Sequence, residues 1–321
     1  DFDLFTKVRC RHKKILCGEI MKVAILYDID GWAFHHEALG MQKYLRSLGI
    51  YADIERYPTF FAKMADFKKR SKATLPYDCV FLYPRQAKGI TFPLEKMAVK
   101  ISSYGKFNYQ EENGATFGAC LCTSRDIMKE AVRELPKHPF IVFSPLSVDT
   151  EVFYPSTENL FRKDGPLRVG FSGNTERPVK RFHIFEEVMQ NHKGFSFKVS
   201  SFKKEGRLPH EEMPEFYRSI DVLVCTSTHE GGPLTAYEAG ACGTPTVFLS
   251  EKTAIAGDST PGYNSFKATE ETLGETLEML AFNRDLLTNA KLAIANTIHA
   301  NHSWRNNIFS YVGILNLLSQ R

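Results

Sequence analysis

No apolar run in the 321-residue chain approaches the ~20 residues of a transmembrane helix; the strongest is Phe140-Ile141-Val142-Phe143, so no helical membrane span is expected. A secretory leader is not expected either. The first twenty residues carry Lys7, Arg9, Arg11, Lys13 and Lys14 with no apolar stretch behind them, and they read as a basic extension of little periodicity. The seven cysteines (10, 17, 79, 120, 122, 225 and 242) show neither zinc spacing nor a disulfide framework. Cys79, Cys120, Cys122 and Cys225 lie in apolar, strand-like runs, where a free thiol behaves as a small hydrophobe, and a reducing, cytoplasmic setting is expected. Low-complexity tracts and short repeats are absent, as are several catalytic templates. Gly170-Phe-Ser172-Gly-Asn174 lacks the last glycine of a nucleophile elbow, His210-Glu-Glu-Met-Pro is not a zinc-protease helix, and no phosphate-loop Gly-x-x-x-x-Gly-Lys occurs.

What is present is a folded, mixed composition, 43% hydrophobic and 24% charged. At roughly 100–200 residues per domain the length points to two domains. Met21–Asp28 reads as a first strand, followed by a helical pattern from Trp32 to Leu48 with Leu39, Met41, Leu45 and Leu48 on its apolar face. Further strands are expected at 50–54, 79–83, 117–121 and 140–143, with helices at 59–72, 93–103 and 125–135 between them. Turn formers crowd 144–166, which predicts a first domain over 21–150 and a linker over 151–166. A second alternation fills 167–302, with strands at 167–172, 196–201, 221–226 and 244–249, helices at 181–191, 211–219, 233–242, 270–282 and 284–300, and a last helix at 303–319. Strands alternating with helices predict an α/β fold of two parallel sheets, each covered on both faces. Ligands of such sheets sit outside the carboxyl ends of the strands, here in a cleft between the domains.

The most informative segment runs from Asp221 to Val247: strand, turn, helix, glycine-containing loop, strand. Gly231-Gly232 permits a tight turn and Pro233 suits a first helical position. The N–H groups of residues 232–235 would then face the cleft at the positive end of a helix dipole, an anion site suited to a diphosphate. Glu230 precedes this helix and Glu238 lies within it. Carboxylates do not bind a phosphate, but they accept hydrogen bonds from hydroxyls, so sugar rings on either side of a diphosphate would suit them. The plainer alternative is a carboxylate stabilising the helix dipole beside a surface Glu.

Glu230-Gly-Gly-Pro-Leu-Thr-Ala-Tyr-Glu238-Ala-Gly-Ala-Cys-Gly-Thr-Pro resembles the Glu-x7-Glu segment of retaining glycosyltransferases of family 4, which have the GT-B fold. Three other segments agree in order. Val148-Asp149 through Phe153-Tyr-Pro155 resembles the family's interdomain segment. Val169-Gly170-Phe-Ser-Gly173 followed by Lys180-Arg181 resembles its phosphate segment, and His302-Ser303-Trp304 resembles the start of its last helix, which crosses back onto the first domain. The likeness covers about 145–315 in motifs and 21–135 in architecture only. It implies two Rossmann-like domains and transfer of a sugar, with retention, from a nucleotide-diphosphate donor such as a UDP-sugar to a hydroxyl of a glycan, lipid-linked or other anionic acceptor. Glu238 would hold the ribose, Glu230 the donor sugar, the backbone from Gly232 through Leu234 and Thr235 the diphosphate, and Lys180 the charge developing on the leaving group. No metal and no other cofactor is implied. The family's arginine beside Gly173 is Asn174 here, so Arg177 or Arg181 would supply a second cation; Arg207 and Leu208 are candidates near the nucleobase. An epimerase or hydrolase of the same fold, a DNA-modifying glycosyltransferase and a non-catalytic nucleotide-sugar-binding module are the alternatives.

The first strand-to-helix loop, which in the family it resembles touches donor phosphate and acceptor, would offer Gly31 to the phosphate and Trp32, His35 and His36 to the acceptor; the plainer alternative is that Trp32 and Phe34 pack against the sheet and the histidines are ordinary helix-surface residues. Asp28-Ile-Asp30 looks superficially like a metal motif, but its place after a first strand argues against that. Lys and Arg at 63, 68, 69, 70, 72, 85, 88, 96, 100 and 106 outnumber Asp66, Asp78 and Glu95, which predicts a locally basic face. Within it, 59–73 sets Phe60, Met64 and Phe67 on one side of a basic helix. That pattern fits either peripheral contact with the inner face of a membrane or a sheet-covering helix, and the same charges would admit a nucleic-acid acceptor.

Overall fold

The computed structural model describes residues 20–70, 76–83, 90–102, 117–136, 138, 140–201, 208–253 and 257–321. The basic extension over 1–19, Arg207, and the basic residues Lys72, Arg85, Lys88 and Lys106 lie outside the described residues.

The first half alternates as β1 (Lys22–Tyr27), α1 (Ala33–Ser47), β2 (Tyr51–Arg56), α2 (Tyr57–Arg70), β3 (Cys79–Leu82), β4 (Met97–Ile101), β5 (Ala119–Cys122), α3 (Arg125–Glu134) and β6 (Ile141–Phe143). The strands form one parallel sheet in the order β2-β1-β3-β4-β5-β6, with Val23 beside Ala52 and Cys79. The interior strands are apolar on both faces, because helices cover both. Val23, Ile25, Phe81 and Ala98 meet α1, while Ala24, Leu26, Val80 and Val99 belong to the core that holds Phe60, Phe61 and Met64 of α2 and Ile127 of α3.

Of the two readings of 59–73, that core supports the sheet-covering helix: Phe60 and Met64 of α2 are buried on the sheet, and Lys63 is paired with Glu55. The helix expected at 93–103 is absent. Residues 94–96 make one 3₁₀ turn and 97–101 are the strand β4. Leu94-Glu-Lys-Met-Ala98 are strong helix formers, and pairing between β3 and β5 overrides that propensity. Lys100 therefore leaves the predicted basic face and lies fully buried.

The second half holds α4 (Thr157–Phe161), β7 (Leu167–Gly173), α5 (Phe182–Asn191), β8 (Phe195–Ser201), α6 (Met213–Arg218), β9 (Val222–Cys225), α7 (Leu234–Ala241), β10 (Thr246–Phe248), β11 (Phe266–Lys267), α8 (Leu273–Phe282), α9 (Arg284–Asn301) and α10 (Trp304–Ser319). Its parallel sheet has the order β11-β10-β9-β7-β8. Both sheets reverse direction of growth beside their first strand, between β1 and β3 and between β7 and β9, the crevice position at which α/β sheets take ligands.

The segment 151–166 is not a loose linker. Phe153 joins the core of the second half, Ser156 caps α4, and Asn159 is buried against Arg168 and Lys291. The two crossings between halves run side by side instead: Val148 N donates to His302 O at 2.7 Å and Trp304 N to Val148 O at 3.0 Å. Beyond them α10 packs on the first sheet through Trp304, Ile308, Tyr311, Leu315 and Leu318.

Candidate active site

The two halves touch at Gly231 and Gly232. A Cβ on Gly231 would lie 1.5 Å from Ser102 O, and one on Gly232, whose φ is +152°, would meet Leu146 Cδ1 at 2.9 Å. The Thr123 hydroxyl donates to Gly231 O across the same boundary. The glycine pair therefore permits domain apposition as well as the turn into α7.

Two adjoining cavities open on either side of the start of α7 and share Ala33, Leu234 and Thr235. The inner one, about 220 Å³, has Asn174, Arg177, Lys180 and Glu230 on the side of the second half, facing Trp32, Phe34, Glu37 and Ser102 of the first. The other, about 400 Å³, is lined by Gly31 and His36 opposite Ser172, Ser200, Leu208, Met213, Tyr217 and Glu238. No side chain caps α7, so its first N–H groups and dipole are directed at the seam between the cavities.

The loop after β7 brings Lys180 back over Gly173, and the loop after β9 brings Glu230 to meet it. Lys180 Nζ donates to Glu230 Oε1 at 2.6 Å, and the Ser227 hydroxyl donates to the same oxygen at 2.8 Å. One turn and a half along α7, Glu238 is buried and accepts from the Tyr217 hydroxyl at 2.9 Å. Burial pushes its carboxyl up to about 8, against the opposing pull of Tyr217.

Of the two arginines considered as the second cation, Arg177 lines the inner cavity. Arg181 does not. It takes a left-handed φ of 45°, donates from Nε to Thr226 O at 2.8 Å and pairs its guanidinium with Glu270. The expected donor-side role of Arg181 is thereby corrected to a brace between the two loops. Leu208 lines the larger cavity.

On the other side, Gly31 takes a left-handed φ of +70° and its N–H is held by His35 Nδ1 at 2.8 Å, while His35 stacks on Tyr27. His36 contacts Gly31 O through Nε2 and stacks on His210. Trp32 and Phe34 both line the inner cavity, and Phe34 also packs on Tyr83. Asp28 and Asp30 serve the loop itself, accepting from Ile29 N and the Tyr27 hydroxyl. Among the described residues no three His, Cys, Asp or Glu side chains group as metal ligands, and no helix is long and apolar enough to cross a membrane.

Sequence reasoning missed Glu37, Ser102, His210 and Tyr217. Only Glu37 carried a signal: it stands four residues before Met41 on the apolar face of α1, where an acid demands a partner.

Residues 202–256, which include Glu230 through Glu238, match the family model described as glycosyl transferases group 1. No curated protein sequence matches the chain. In structure it is similar to sucrose-phosphate synthase (tll1590) from Thermosynechococcus elongatus, with a TM-score of 0.73 and 13% identity over 93% of this chain and 99% of that one. A glycosyltransferase from Rickettsia africae ESF-5 gives 0.66 and 12% over 93% and 98%, and Anabaena HepE in complex with UDP and glucose gives 0.64 and 11% over 92% and 99%. The chain thus has the two-domain fold of these GT-B glycosyltransferases, and its site-bearing segment matches the group 1 model.

Proposed function

We propose that the chain transfers a sugar from a nucleoside-diphosphate donor, with UDP as the first nucleotide to test, to a hydroxyl of a glycan or lipid-linked acceptor, with retention and without a metal, as family 4 glycosyltransferases do. The observation that carries this reading is the pair of carboxylates flanking one uncapped helix start, Glu230 beside Lys180 in one cavity and Glu238 in the next. Glu238 and the larger cavity would take the ribose and base. The α7 N–H groups with Lys180 and Arg177 would take the diphosphate. Glu230 would hold hydroxyls of the donor sugar, and Lys180, now paired with it, would also meet the charge that grows on the leaving oxygen. HepE, crystallised with UDP and with UDP-glucose, supports UDP as the nucleotide.

A thermal-shift titration with UDP, GDP, ADP, CDP and dTDP and their sugar conjugates tests it. A ligand bound only by the native state at a hundred times its Kd adds about 2.7 kcal/mol and raises the melting temperature. One nucleotide is expected to stand above the others; stabilisation by none of them would remove the transferase reading.

A further inference from the structure

The face of the inner cavity opposite Lys180 and Glu230 holds a feature that donor binding does not use. Glu37, on α1, is buried with the side chain of Lys100, and Lys100 Nζ bonds both to Glu37 Oε1 and, at 2.8 Å, to the Tyr311 hydroxyl. The pair is clamped from three elements: α1, β4 and the returning helix α10. The other oxygen, Glu37 Oε2, is buried and has no hydrogen-bond partner among the described residues, yet Glu37 lines the inner cavity together with Trp32, Phe34 and Ser102.

A buried carboxylate oxygen without a donor is costly, and in a residue that lines a cavity it calls for a donor that a ligand can bring once the side chain yields to it. Carboxylates accept from hydroxyls and amides and repel phosphates, so the diphosphate is the wrong ligand for this oxygen. The donor sugar already has Glu230 on its own side of the cleft. What remains is a neutral, hydroxyl-bearing molecule that enters between the two halves and rests on the indole of Trp32. The two histidines before Glu37 are turned to other work, His35 to Gly31 N and Tyr27, His36 to Gly31 O and His210. Burial raises the affinity of Glu37 for a proton, and the ammonium of Lys100 opposes this and holds the carboxylate in place.

We propose that Glu37 is the acceptor-binding residue: its free oxygen receives a hydroxyl of a sugar or polyol acceptor in the inner cavity, while Lys100 and Tyr311 fix its orientation. This rests on the transferase reading and adds the residue that holds the acceptor, and the neutral, hydroxyl-bearing class of molecule it takes, to the acceptor side already expected from the sequence. It also gives α10 a task beyond packing, since Tyr311 is its contribution to the clamp.

The test uses the whole chain saturated with UDP and, as probes, glycerol, methyl α-D-glucopyranoside and methyl N-acetyl-β-D-glucosaminide, read by quenching of Trp32 fluorescence and by calorimetry. Glu37→Gln keeps an oxygen for Lys100 and turns the free position into an amide donor. It is expected to weaken the best probe by about tenfold or more while UDP binds as before. Because Glu37→Gln leaves Lys100 buried, Glu37→Gln with Lys100→Met is the second variant: it removes the stranded charge, and it too is expected to lose the probe and keep UDP. Tyr311→Phe, a positioning change, is expected to weaken the probe less, with UDP unchanged. Equal probe binding by the native chain and both Gln variants, no probe binding by the native chain, or a parallel loss of UDP would each overturn the assignment. Failure of the transferase reading is separate, being the absence of nucleotide binding to the native chain.

Discussion

His36 and His210 stack face to face across the cleft, with ring centroids 3.7 Å apart and planes inclined by 11°. One ring rides on α1 of the first half; the other stands just before α6 of the second. Phe153 closes on His210 edge-on, and Glu238 Oε1 lies 4.0 Å from its Nδ1. The contact joins the two halves over the larger cavity, so the charge on these rings bears directly on how the cleft holds together.

Burial, with the neighbouring His36 and His35, lowers His210 to about 4, and the nearby Asp149 only partly opposes this. The folded protein thus keeps His210 neutral where the unfolded chain takes up a proton, below about 6.5. Between those values the unfolded state binds more protons, so stability falls as the pH falls from about 6.5 to about 4, by at most about 3 kcal/mol from this residue. His210→Phe keeps a stacking ring without a titrating one. Calorimetric melting temperatures from pH 7 to 4.5 should decline more steeply for the native protein than for this variant; parallel curves would show that His210 does not titrate as described.

Glu238 titrates in the opposite sense. A carboxyl raised to about 8 is mostly protonated near neutrality, and the stability it contributes is fully present below the ordinary value of 4.5 and lost as the pH rises through about 8. Two ribose hydroxyls donating to it would favour the charged form and drive the proton off. Nucleotide binding near pH 7 should therefore release close to one proton, measured as a dependence of the calorimetric enthalpy on the ionisation enthalpy of the buffer. Glu238→Gln should bind more weakly and without that dependence. An enthalpy identical in phosphate and Tris for the native protein would count against Glu238 as the ribose contact.

Much of this was legible in the sequence because parallel strands covered on both faces are continuous apolar runs, as at Val23–Leu26 and Val222–Val224, and because the helices between them keep their period. The strand β4 was not, since Leu94–Ala98 favour a helix locally and only their neighbours in the sheet decide otherwise. In the site, Glu230 and Glu238 drew attention through the Gly-Gly-Pro turn between them, and only the resemblance to family 4 glycosyltransferases chose their role and added Lys180. Glu37, Lys100 and Tyr311 meet from positions 63 and 211 residues apart, and His36 meets His210 across the domain boundary. Such meetings are created by the fold, and no spacing in the sequence announces them. Arg181 illustrates the converse: it adjoins Lys180 in the chain, but its left-handed backbone sends the guanidinium to Glu270.

Asp221, before β9, anchors the second half. Its buried carboxylate accepts from Arg168 and Arg162 at 2.9 Å and from the buried Lys291 at 2.8 Å. Burial alone would raise its carboxyl, but the Arg168 hydrogen bond and the Lys291 charge outweigh it and hold the group down to about 2. Its stabilising contribution is present above the ordinary 3.8 and is lost as the pH falls through about 2. Asp221→Asn should destabilise by about 3–5 kcal/mol because Lys291 is left buried without its counter-charge. Lys291→Met with Asp221→Asn should recover part of that loss in urea unfolding. Equal stability of the single variant and the native protein would mean that the cluster contributes nothing.

Lys180 and Glu230 hold each other, so each variant strands a partner, and the readout must separate folding from turnover. If Lys180 meets the leaving diphosphate as proposed, Lys180→Ala should lower kcat by about 10²–10³-fold, the scale seen when one preorganised charge stabiliser is lost. Glu230 keeps its bond from the Ser227 hydroxyl in that variant, so the melting temperature should shift little. Glu230→Gln retains the shape of the side chain but loses its charge, and should weaken the sugar-bearing donor more than the bare nucleotide. Release of nucleoside diphosphate, followed alongside binding of UDP and of the UDP-sugar, distinguishes the two effects. Should Lys180→Ala turn over at the native rate, the leaving-group charge must be met elsewhere, with Arg177 the next residue to remove.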